Sequence, residues 1–162
     1  MGPDEVRPDD FLRALSRARV RWLLIGRRAL IHYGAPLQTM DYDVWIDPAA
    51  RNVGKLLRVA RDLGLEGPGR PRDVAASPFF SLFGGSLKVD VFKVRTFTNL
   101  DGRRVDFAGA HRRRVRMSAP GDPLVLPLPS LADLRLLKRM RDSEKDREDL
   151  RTLDALARFA RG

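Results

Sequence analysis

Asp41 and Asp43 stand two residues apart in the segment Asp41-Tyr42-Asp43-Val44-Trp45-Ile46, which alternates as a β-strand does. A spacing of two puts both carboxylates on one side of a strand and Tyr42, Val44 and Ile46 on the other, toward a core. Two carboxylates so placed repel each other. A divalent cation between them removes the repulsion, and hard oxygen ligands suit magnesium. A second segment, Leu87-Lys88-Val89-Asp90-Val91, has the same alternation, with Asp90 on the side away from its apolar residues. Were the two strands neighbours, Asp90 would join Asp41 and Asp43. Three carboxylates on adjacent strands can hold two magnesium ions, with manganese as a substitute, in the arrangement that clamps both attacking and leaving oxygens in phosphoryl transfer.

The elements that must position these acids follow from the pattern around them. The periodicity predicts a helix over 8–19, a buried strand over 21–25 broken by Gly26, and a short helix over 27–33 ended by Gly34 and Pro36. After the Asp41–Ile46 strand, 49–63 is a strongly amphipathic helix with Gly64 beyond its end. The glycine- and proline-rich stretch 67–77 reads as loop. Strands over 79–83 and 86–94 form a hairpin turning at Gly84-Gly85. Residues 96–112 fit no single element, and 113–127 read as a second hairpin turning near Pro120-Gly121-Asp122. Ser130 caps a helix running to Met140, and Ser143-x-x-Asp146 is a capping box that opens a last helix. The order gives one α/β (α+β) domain over 1–162, a mixed sheet with a core at about 20–128 and closing helices at about 130–160.

Composition narrows the function classes. The 162 residues contain no cysteine, which excludes disulfides, zinc–thiolate sites and a thiol nucleophile. The N-terminus shows neither the basic start nor the apolar stretch of a secretory leader, and no run is long enough to span a bilayer, so a cytoplasmic protein with no membrane partner is expected. Net charge is +10, and between Val91 and Pro120 eight basic residues face only Asp101 and Asp106. That segment either touches a polyanion or is a solvated face.

The ordered set of apolar strand, Gly26, spacer, Asp41-x-Asp43 and distant Asp90 resembles the nucleotidyltransferase superfamily of the DNA polymerase β type. It is similar in particular to the small toxin-like and abortive-infection-type members of bacteria and archaea. Thr39 matches the lead-in to the paired aspartates, and Leu137-Lys138 with Lys145-Asp146-x-x-Asp149-Leu150 resembles the closing helices. The resemblance covers about 20–155. It implies transfer of a nucleotidyl group from a nucleoside triphosphate such as ATP to a hydroxyl. The acceptor would be an RNA end, for instance of a tRNA, or a protein, and the setting a toxin–antitoxin pair with an antitoxin partner. On that basis Asp41, Asp43 and Asp90 are the catalytic and metal-binding residues, and Gly26, Arg27, Thr39 and Lys138 the nucleotide-binding ones. Arg27 stands where the family has serine or glycine. It either contacts phosphate or fills the pocket of a non-catalytic relative that binds RNA or a protein. A glycosyltransferase using the Asp-x-Asp pair is a third reading, for which the chain is short.

Other polar residues have plainer readings. Lys138 borders a buried stripe and either snorkels to solvent or points into the cleft. Lys145, Asp146 and Asp149 read as cap and helix-surface charges, His32 as structural and His111 as solvated. Trp45 shares the aspartate face and is read as covering the sheet edge, with stacking on a base as the alternative. Asp106 is a rival third carboxylate on a poorer strand.

Overall fold

The computed structural model describes residues 5–68, 70–118 and 120–160. The reading of the first four residues therefore lies outside the described part. The chain runs α1 (Pro8–Arg17), β1 (Trp22–Ile25), α2 (Gly26–His32), β2 (Tyr42–Ile46), α3 (Ala50–Asp62), α4 (Pro71–Ala76), β3 (Phe79–Gly84) and β4 (Leu87–Phe92). It continues through β5 (Thr96–Thr98), β6 (Arg104–Asp106), α5 (Phe107–Arg112), β7 (Val115–Met117), β8 (Leu126–Leu128), α6 (Leu131–Lys138) and α7 (Glu144–Ala160). Four strands form the central sheet in the order β1-β2-β4-β3, and β5–β6 and β7–β8 form two small antiparallel pairs. In the central sheet β1 and β3 run antiparallel to their neighbours, while β2 and β4 are parallel, so the sheet is mixed as expected.

Alternation sends Leu24, Val44, Val91 and Phe80 to one face of the sheet, where they share a core with Phe11 and Leu15 of α1 and Leu56 of α3. The other face carries two successive rows. One is Leu23–Trp45–Phe92–Phe79; the next is Ile25–Asp43–Asp90–Ser81. Leu23 and Trp45 of the first row are roofed by β6 and α5 through Val105, Phe107 and Ala110, a second apolar cluster that Phe92 borders, while Phe79 is exposed. The second row is the polar one.

Four expectations change. Trp45 is not a stacking platform for a base or a cover for the sheet edge. It is fully buried, its indole N–H donates to the Val94 carbonyl at 2.8 Å, and it packs on Phe97 and Phe107. The segment 96–112 supplies the roof that makes this face a core. The stretch read as loop contains α4, because Pro71 at the first helical turn needs no N–H there and Asp73 favours the helix start. The hairpin turns at Gly85-Ser86, and Gly84 pairs with Leu87 inside the strand. The glycine at 84 answers packing: a Cβ there would lie 2.3 Å from the Leu65 side chain. Asp106 is no rival ligand, since its carboxylate caps α5 by accepting the Gly109 N–H at 3.0 Å.

Both predicted helix caps form. Ser130 Oγ accepts from the Asp133 N–H at 3.1 Å, and Ser143 Oγ from the Asp146 N–H at 3.0 Å. Among the described residues no helix is long and apolar enough to cross a membrane. Replacing Trp45 by Phe leaves the Val94 carbonyl unpaired and loosens the second cluster, with a cost of about 1–3 kcal/mol. Urea unfolding checks the loss.

Candidate active site

β1 delivers the chain to the cleft and Gly26 turns it. Gly26 has φ +74, and a Cβ there would lie 2.4 Å from Asp43 Oδ2. The turn therefore requires glycine twice over, for its backbone angle and for the carboxylate seated against it. Asp43 and Asp90 are register partners on the parallel pair β2–β4, so their side chains leave the same face side by side. Asp90 is braced from β3, where Ser81 is its partner across the strands and donates its hydroxyl to Oδ1 at 2.6 Å. Lys88 Nζ lies 3.7 Å from the same oxygen.

Asp41 precedes β2 and is exposed. Its backbone N–H donates to Thr39 Oγ1 at 3.1 Å, and the Thr39 carbonyl accepts from Arg28 Nη2 at 2.6 Å. Arg28 lies 4.3 Å above the Tyr42 ring, which ties this loop to the strand. Asp41, Asp43 and Asp90 line one cavity of about 630 Å³ together with Arg27, Thr39, Lys138 and Lys145. A smaller chamber of about 350 Å³ adjoins it at Asp43 and Lys138, and is walled by Gly26, Phe92, Phe97, Leu134 and Leu137.

The acids feel one another. Burial, then the charges of Asp90 and Asp41, push the Asp43 carboxyl up to about 6, against smaller opposing effects from Lys138 and Lys145. Among the described residues no three His, Cys, Asp or Glu side chains are grouped closely enough to hold a metal ion, so Asp41, Asp43 and Asp90 share a cavity without forming a three-carboxylate cage. Magnesium does not need one, because it binds through one or two carboxylates and completes its shell with water and substrate phosphates.

Of the expected nucleotide ligands, Gly26 lines the smaller chamber and Arg27, Thr39 and Lys138 the larger. Arg27 forms its ion pairs away from the three acids, Nε with Asp149 Oδ1 at 3.1 Å and Nη2 with Glu148 at 3.3 Å. Lys138 does not snorkel to solvent. It is 13% exposed, and its Nζ meets Asp149 Oδ2 at 2.7 Å. Asp149, read as a helix-surface charge, is fully buried; Asp146 is buried too and lines the cavity beside Lys145.

His32 and His111 line neither cavity. His111 is not a solvated side chain. Burial and the charges of Arg114, Arg21 and Arg116 push it down to about 4, and it stacks on Phe107 at 5.3 Å.

Two site residues escape sequence reading. Ser81 would have been found by pairing the hairpin about Gly85-Ser86. Asp149 gave a signal in its i, i+3 spacing from Asp146, which places the two near one helix face.

Two outcomes follow. Below pH about 4 Asp43 holds its proton in both folded and unfolded chains. Between about 4 and 6 the unfolded chain loses that proton first, so stability falls as pH rises, and above about 6 the penalty is constant. Asp43→Asn should therefore raise the melting temperature at pH 8 and leave it unchanged at pH 4, with a gain of at most about 3 kcal/mol. Thermal scans with and without magnesium check this; the ion should stabilise the wild type and not the variant. Gly26→Ala should lose about 1–2 kcal/mol from its backbone angle. It should also displace Asp43, which carboxyl NMR would register as a changed titration.

No protein-family model matches the sequence, and no curated protein is significantly similar to it. Solved structures are. A lincosamide antibiotic adenylyltransferase, LnuA, with lincomycin bound superposes with a TM-score of 0.63 at 16% identity, over 94% of this chain and 99% of that one. A candidate nucleotidyltransferase from Thermotoga maritima gives a TM-score of 0.56 at 14% identity, over 99% of both chains. The antibiotic-resistance factor ANT(2'')-Ia gives 0.56 at 13% identity, over 93% of this chain and 87% of that one. A further structure of that factor holds adenylyl-2''-tobramycin. With its mixed sheet and flanking helices, the chain adopts the nucleotidyltransferase fold.

Proposed function

We propose that this protein is an enzyme that transfers a nucleotidyl group from a nucleoside triphosphate to a hydroxyl acceptor, with divalent metal. The observation that carries the reading is the cross-strand pairing of Asp43 with Asp90 in a cavity that Asp41 also lines. Burial, and then the neighbouring carboxylates of Asp90 and Asp41, push Asp43 up to about 6, an environment that a bound cation would relieve. Asp41 and Asp43 would hold two magnesium ions, and Asp90 would share the one nearer the acceptor. Bound there, such ions neutralise phosphate charge and make a hydroxyl easier to deprotonate.

The chain's own residues do the rest. The acceptor oxygen bonds the α-phosphorus, the bond from that phosphorus to the bridging oxygen breaks, and pyrophosphate leaves with the bonding pair. Asp90 takes the hydroxyl proton on Oδ2, while Ser81 holds Oδ1 and fixes the carboxylate plane. Gly26 leaves room for the Asp43 carboxylate to sit against the turn, and Lys138 and Arg27 line the cavity wall, where they would face the triphosphate's negative charge. Because Arg27 pairs with Asp149 and Glu148, it does not neutralise the acids, and this favours the catalytic reading over the non-catalytic one.

For the acceptor, the apolar chamber beside Asp43 supports a small hydroxyl-bearing molecule with an apolar part. The neighbours hold lincomycin and adenylyl-tobramycin, which are small molecules and not macromolecules, and the adenylyl group favours ATP as donor. An RNA end such as that of a tRNA is the second reading. Its support is Arg103, Arg104, Arg112 and Arg116, which are exposed and have no carboxylate within ion-pair distance among the described residues. A protein acceptor, a toxin role with an antitoxin partner, and a cytoplasmic location rest on the family resemblance and on sequence composition.

The test is incubation with each α-labelled triphosphate, magnesium, and either total RNA or a panel of aminoglycosides and lincosamides. Label should move to one class of acceptor, and Asp90→Asn should slow it by about 10²–10⁴-fold. Absence of label on every acceptor, with wild-type protein that binds magnesium, would leave the non-catalytic reading.

A further inference from the structure

Asp149 is the most deeply buried charge near the cleft, at 0% exposure, and cations from two different elements pair with it: its Oδ1 accepts a hydrogen bond, while its Oδ2 makes an ion pair without hydrogen-bond geometry. Oδ1 meets Arg27 Nε of α2 at 3.1 Å, and Oδ2 meets Lys138 Nζ of α6 at 2.7 Å. A buried ion pair is a poor stabiliser, because desolvation offsets its attraction. What it does supply is orientation. Lys138 and Arg27 reach the cavity wall from separate helices, and a single carboxylate on α7 fixes both at once. An ammonium has three donors and a guanidinium five, so each cation keeps donors free for a further anion after pairing with Asp149.

We propose that Asp149 is a positioning residue, which holds Lys138 and Arg27 as a preset pair for the pyrophosphate end of the triphosphate. This rests on the nucleotidyl-transfer reading above. It assigns Arg27 a place in the site despite its departure from serine or glycine: the long side chain is drawn to one wall, and the space beside Gly26 stays open. The pair meets charge that builds up on the leaving group, so its disruption weakens binding of the free leaving group as well as of the nucleotide.

The probe is magnesium pyrophosphate, titrated calorimetrically into the full chain. Lys138→Met should raise its Kd by about tenfold or more, as loss of a charge-assisted contact does. Asp149→Asn, which presents an amide to the ammonium, should raise it by a similar factor. In the double variant the two effects should not multiply, since Asp149 acts through Lys138. A merely structural aspartate would lower the melting temperature but leave the two substitutions independent in Kd. Should Asp149→Asn fail to fold, Asp149→Glu carries the test: it keeps the charge but shifts the cations, and should weaken pyrophosphate binding while magnesium binding at the carboxylates persists. Unchanged Kd in Lys138→Met would sink the cationic reading of the cleft itself. A weakened Lys138→Met beside an unaffected Asp149→Asn or Asp149→Glu, or effects that multiply fully, would overturn the positioning role alone.

Discussion

The parallel pairing of β2 with β4 is the constraint on which the site depends. Its register sets Asp43 opposite Asp90, and no other contact brings these two acids, 47 positions apart in sequence, to one spot. A slip of one residue would turn one of them into the core, where a charge without a partner is prohibitively expensive. The register is held by what lies behind it. Val44 against Val91, with Leu24 and Phe80 beyond, fills the opposite face, so the apolar core and the acid pair specify the same alignment.

The polar face works because only part of it is polar. Leu23 and Trp45 of the first row are sealed by β6 and α5, while Phe92 and Phe79 of that row border the open cavity with Asp43 and Asp90. This boundary explains the intermediate environment of Asp43, buried enough to resist ionisation yet accessible to a ligand. The cations facing the acids come from α6 and α7, and Arg27 comes from α2. The site is thus assembled between the sheet and the closing helices.

Much of this was legible in the chain. Period-two alternation around Asp43 and Asp90 is enough to predict that each points away from the core, because side-chain direction in a strand is a local property, whereas Asp41 lies just before β2 and reaches the same cavity from the preceding loop. The caps at Ser130 and Ser143 were equally local. What failed was non-local. Trp45 carries no local sign of its burial, because its partners Phe97 and Phe107 lie in a segment with no clear period of its own. Gly84 looked like a turn residue because the reason for a glycine there, Leu65, belongs to another part of the chain. Asp149 looked like any charge on an amphipathic helix until α2 and α6 were seen to bury it.

The sheet is stitched from two locally paired units, β1 with β2 and β3 with β4, joined along the β2–β4 seam. Each unit contains one member of the acid pair and can form without meeting the other. Electrostatic repulsion between the two carboxylates therefore arises only as the units dock, a step that must also close the long crossover through α3. The repulsion is thus a property of the docked seam alone, so a divalent ion that bound there would favour closure of the seam over its reopening.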